Sequence, residues 1–85
     1  MIGELIKEKR ELAGMTQLEL AQKLGYESPQ FVSLIERGLS KAPYELIGKC
    51  VVILGLPEKK IISQLNQEFL EGLTSGISAG KELVK

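Results

Sequence analysis

The chain's 85 residues suffice for one domain and not for two, and a fold this small buries only about 60–65 % of the surface its unfolded chain exposes, so marginal stability is expected. Eleven basic residues balance eleven acidic ones, which excludes a strong uniform positive field; any contact with nucleic acid needs basic groups sorted onto one face by the fold. With no histidine and a single cysteine, Cys50, there is no metal-spacing cluster, no disulfide framework and no commonest general base, so a chain without catalysis or cofactor in a reducing, cytoplasmic compartment is expected.

Helical spacing with start and stop signals recurs along the chain, while β alternation is hard to find. Ile2, Leu5, Ile6, the stem of Lys9 and Leu12 share a face at 3.6 periodicity, which predicts a first helix over about 2–13, ended by Gly14. Thr16 then offers an N-cap hydroxyl, and Glu19 three residues on completes a capping-box pattern. A second helix follows with Leu18, Leu20, Ala21 and Leu24 apolar and Gly25 as its stop. Ser28 can cap a third helix with Pro29 at its first position, running to about Arg37 and stopping at Gly38.

Pro43 opens a fourth helix that closes at Gly55, with Ile47, Cys50, Val51 and Leu54 as its core stripe. Pro57 opens a fifth, expected to end near Glu71 or Gly72, with Ile62, Leu65, Phe69 and Leu73 as a stripe and Ile61 and Leu70 left over. The segment from Thr74 carries Ser75, Gly76 and Ser78, and is expected to fray or to form a short helix from Ala79 to Val84. The organisation expected is therefore all-α: a five-helix bundle domain over 1–72 and a tail over 73–85 that is flexible or briefly helical. The longest strongly apolar run, Cys50 to Leu54, is too short to span a bilayer, and no secretory-signal pattern is visible, so no membrane association is expected. No glycine-rich loop ending in Lys-Ser or Lys-Thr is present, and no small-molecule ligand is evident.

The informative stretch is Thr16 to Gly38, TQLELAQKLGYESPQFVSLIERG: a capped helix, a turn pivoting on Gly25, and a second capped helix. Ala21, one turn before the pivot, leaves room for two helices to meet steeply, and such a pair can set its second helix in a major groove. Through MTQLELAQKLG and VSLIERG the chain resembles the Cro/repressor-type helix-turn-helix family of phage and bacterial regulators, over roughly residues 2–66. That resemblance implies a lambda-repressor-like bundle, a transcription-regulating activity on double-stranded DNA, and a bacterial or phage origin.

Residue by residue, the resemblance implies that Gln17 bridges to the DNA backbone and that Arg10 and Glu36 form a structural ion pair. On this reading Arg10 also reaches a phosphate with its spare N–H groups. From Gly25 to the Glu-Arg-Gly stop the chain carries one residue more than the common family pattern. Placing it near Glu27 makes Val32 and Ile35 core; the alternative register makes Phe31 and Leu34 core instead. In the first register Gln30, Ser33 and Arg37 point away from the core, with Ser28 at the end that approaches base edges. Base contacts are then expected from Ser28, Gln30 and Ser33, and phosphate contacts from Gln17, Arg37, Lys41 and Arg10. Leu34 fits this face poorly.

The fourth and fifth helices carry more apolar residues than a bundle this small needs. A homodimer with Ile61, Leu65, Phe69, Leu70 and Leu73 at its interface is expected, presenting two recognition helices to a pseudo-palindromic site. The competing reading is a protein-interaction module, antitoxin-like or an adaptor, whose partner docks on the same surplus surface.

Overall fold

A computed structural model describes residues 2–83. Five helices and no strands make up the described residues: α1 (Ile2–Leu12), α2 (Gln17–Lys23), α3 (Gln30–Glu36), α4 (Tyr44–Leu54) and α5 (Glu58–Leu83). The local signals explain most of the boundaries. Thr16 sits in extended conformation and its hydroxyl accepts from the Glu19 N–H at 3.0 Å, while the Glu19 carboxylate accepts from the Thr16 N–H at 3.1 Å. Both bonds hold the Glu19 carboxyl below its ordinary value.

The helix stops at Gly25 and Gly38 need φ of 94° and 74°, the left-handed region that glycine enters without steric cost. At each, two backbone bonds close the helix end. Tyr26 N–H donates to the Ala21 carbonyl and Gly25 N–H to that of Gln22; Leu39 N–H donates to Leu34 and Gly38 N–H to Ile35. These paired closures fix how the chain leaves α2 for the turn and how it leaves α3 for α4.

The core joins residues from every helix. Leu5 and Ile6 meet Leu20, Ala21 and Leu24, then Val32 and Ile35, Leu46, Ile47 and Cys50, with Leu56 and Ile61 closing the base. Val32 and Ile35 are the buried pair of α3, and Phe31 and Leu34 are half-buried, so the two registers open from sequence resolve in favour of the first. Phe31 packs edge-on against Tyr26 at 5.3 Å between ring centroids, roofing the lengthened turn. Burial pushes the Cys50 thiol up to about 11, aided by the charge of Glu36, so it stays a neutral core group near neutral pH.

Several sequence-based assignments are corrected. Leu12 is exposed, and the buried face of α1 is instead Gly3, Leu5, Ile6 and Arg10. Ser28 does not cap α3: Pro29 occupies that position in helical conformation, without a side-chain bond. Leu46 joins the core, whereas Val51 and Leu54 are only half-buried. In α5 the inward residue is Ile61, at 3 % exposure, and Ile62 points outward. The helix also runs unbroken past Gly72 to Leu83, without the expected fraying or new start at Ala79. The expected end of that short helix at Val84 lies outside the described residues, as does Lys85.

Gly3 marks the closest approach of two helices. A β-carbon there would collide with the backbone carbonyl oxygen of Ile35, so α1 lies directly against the end of α3. Gly48, in α4, would meet nothing. Alanine at the two sites should therefore have opposite effects. Gly3→Ala is expected to cost about 1–3 kcal/mol through overpacking, and Gly48→Ala to add roughly 1 kcal/mol through helix propensity; urea unfolding of both variants checks the signs.

Candidate nucleic-acid interface

The side chain of Glu36, at the end of α3, is 1 % exposed, an unfavourable place for a carboxylate unless its charge is met. Arg10 from α1 meets it with a fork: Nε donates to Oε2 at 2.7 Å and Nη2 to Oε1 at 3.1 Å. The remaining nitrogen, Nη1, donates to the Met15 carbonyl at 2.8 Å, which ties the α1–α2 turn into the same group. Gln17, from the first turn of α2, adds a bond from Nε2 to Glu36 Oε1 at 3.0 Å. One carboxylate thus links three helices. Its hydrogen bonds raise the Arg10 guanidinium above its ordinary value, against the opposing effect of burial.

Among the described residues no buried side-chain polar atom is left without a partner. Each part of the network depends on the others, because breaking a buried pair strands the surviving charge. Arg10, expected also to reach a phosphate, is 8 % exposed, and each of its three nitrogens donates a hydrogen bond within the protein. Gln17 is half-buried and spends an amide N–H on Glu36, keeping a second N–H and its backbone N–H near the surface, where the first turn of a helix has no internal acceptor.

This frame holds α3 with one face in the core and the other outward. Ser28 and Gln30 are exposed at its N-terminal end, and Ser33, on the same outward arc, is half-buried. Arg37 and Lys41 are exposed just beyond its C-terminal end; Arg37 leans back, its Nε donating to the Ser33 carbonyl at 3.4 Å. Lys49 lies by the end of α2, its ammonium 3.5 Å from the Leu24 carbonyl and 3.8 Å from Glu45. Glu36 is neutralised by Arg10, and Glu4 and Glu8 line a cleft between α1 and α5 instead. The overall charge balance therefore does not carry over to the outward face of α3, although Glu27 remains exposed in its approach turn.

Two helices joined by a tight turn, with the second held against the first and presenting a polar row outward, are the architecture that the helix-turn-helix family model describes, and that model matches residues 6–61. The chain belongs to the helix-turn-helix family of the Cro/repressor type. It is a DNA-binding transcription regulator of that type, on an all-helical fold. Comparison with curated proteins and with solved structures gives no match. Among the described residues no helix of this helix-turn-helix protein is long and apolar enough to cross a membrane.

Sequence reasoning missed the contact between Gly3 and the end of α3, and it missed the link from Gln17 to Glu36. The first had no signal beyond a glycine inside a helix-forming stretch. The second joins residues 19 apart, a separation without local periodicity.

The network makes a sharp energetic prediction. Glu36→Ala leaves the buried Arg10 guanidinium with only the Met15 carbonyl and the exposed Glu11 carboxylate, 3.8 Å away, which should cost about 3 kcal/mol, a large part of the roughly 5–15 kcal/mol that holds a small domain folded. Replacing both partners, Arg10→Met with Glu36→Leu, should recover most of that loss, because an apolar pair needs no compensation. Urea unfolding of the single and double variants measures the difference.

Proposed function

We propose that the protein reads a specific double-stranded DNA sequence with the outward face of α3 and does so as a homodimer on a pseudo-palindromic operator. The observation that carries this reading is the buried Arg10–Glu36–Gln17 network, which fixes the angle of α3 while leaving Gln30 free. A glutamine there suits bidentate pairing with adenine N6 and N7. Ser28 and Ser33 offer hydroxyls to several bases and so discriminate less. In this reading Gln17, Arg37 and Lys41, which flank that row, hold phosphates and so set register without reading sequence.

Dimerisation follows from the weak field of a neutral chain. One protomer offers few cationic contacts, whereas two recognition helices about 34–36 Å apart reach successive major grooves together. The exposed residues Phe69, Leu70 and Leu73, with half-buried Leu65, supply an apolar face for the second copy. Ile61, expected in that interface, is corrected: it belongs to the protomer's own core. The reducing, cytoplasmic setting inferred from composition agrees with a regulator of this kind.

Selection of bound duplexes from a random pool tests the reading. It should return a two-fold-related pair of half-sites, and Gln30→Ala should relax one base position in each by about 1–3 kcal/mol. Lys41→Ala should instead weaken all sequences alike. Four cationic phosphate contacts per dimer predict that log K falls against log salt with a slope of roughly −4. Recovery of no preferred sequence, even at low salt, would end the proposal.

A further inference from the structure

The second half of α5 is long, uncovered and poorly suited to standing alone. The helix has 26 residues, about 39 Å at 1.5 Å per residue, in a molecule measuring 52 × 26 × 18 Å. Its inward anchor is Ile61; from Phe69 onward, Leu70, Leu73, Ile77 and Leu83 are all about half exposed or more. The protein exposes 6082 Å², against about 5,000 Å² for a compact monomer of this mass. The excess is on the order of one partner's share of a standard protein–protein interface.

Gly72, Gly76 and Gly80 recur every fourth residue, within about 80° of arc, on the side of the helix that also carries Phe69 and Leu73. A β-carbon at any of the three would meet nothing within 4 Å. Nothing in the protomer therefore requires glycine at these positions, although each weakens the helix relative to alanine. An exposed extension so built gains its stability from packing against something else.

The same side of α5 forms one wall of an apolar groove of about 670 Å³, whose other wall is Ile2, Leu39 and Tyr44. Ile35 and Gly38, at the end of α3, and Lys41 also border it. Ridge and groove thus adjoin on one chain, which is what a two-fold contact between identical copies requires.

We propose that the groove is filled by the last turns of α5 from a second copy, in an antiparallel crossing of the two α5 helices at Gly76. The proposal rests on the operator-binding dimer above and adds its geometry and its consequence for the DNA-facing segment. In this crossing Gly72 of one protomer faces Gly80 of the partner subunit, so the backbones approach closely, and Phe69 faces Leu83 of the partner subunit. The partner's Leu83 then lies at the mouth of the groove beside Leu39 and Tyr44. Dimer formation braces the segment 38–42 that carries Lys41, so assembly and DNA affinity are coupled.

Sedimentation of the full chain without DNA gives the test. The wild type should be a dimer at micromolar concentration, and Gly76→Leu should weaken it more than about tenfold. Its helical circular-dichroism signal should stay the same or rise, because leucine favours helix over glycine. A Leu39→Cys, Leu83→Cys double variant should cross-link between subunits on oxidation, and amide exchange over 39–42 should slow in the dimer relative to Gly76→Leu. A monomeric wild type, leaving this face to a different protein, overturns the proposal. So does a Gly76→Leu dimer as tight as wild type, a failed cross-link, or unchanged exchange over 39–42. A wild-type dimer with no preferred duplex would instead end the operator reading and leave this one standing.

Discussion

The fold turns on one buried carboxylate. Glu36 lies at the end of the recognition helix with its side chain almost wholly enclosed, and it is bound by Arg10 from α1 and Gln17 from α2. Removing a charge from water is costly, and the cost is offset only when its partners are held in good geometry. The requirement works in the other direction too: the three helices must keep the arrangement that brings those partners together. The close approach of Gly3 to the Ile35 carbonyl adds a steric limit at the same helix end. A polar clasp and a contact without room for a methyl group together set the angle of α3, which a purely apolar core of branched side chains would leave less specified.

This arrangement also answers the difficulty raised by a neutral chain. Affinity for DNA from charge alone grows with the number of neutralised phosphates, and few cations border α3. The acidic residue within the recognition helix, Glu36, has its charge met internally, so it does not oppose a phosphate backbone. What the interface offers instead is polar side chains at defined positions and a rigid frame. On the proposed reading, such a protein depends on specific contacts and on a second copy more than on field strength.

Much of the fold was legible because its signals are local. The capping box at Thr16 and Glu19 and the glycine stops at Gly25 and Gly38 each act over a few residues and formed as their spacing requires. Val32 and Ile35 were legible as the core of α3 once the extra residue was assigned to the turn. The rotation of α5 was not legible, because both Ile61 and Ile62 are apolar. It is Ile61 that joins Leu56, just before the helix, in the buried core. The continuation of α5 through Gly72, Gly76 and Gly80 also ran against local propensity, which marks glycine as a weak helix former. The Arg10–Glu36 pair spans 26 residues and came from family resemblance rather than periodicity.

The central claim is that the network presents the outward face of α3 and its flanks to DNA. Titrating isotope-labelled protein with a selected duplex, and mapping the amide shifts residue by residue, tests it most directly. The account predicts a continuous set of shifted signals at Gln17, from Ser28 to Ser33, and from Arg37 to Lys41. Shifts confined to α5, with the recognition helix unmoved, would contradict it.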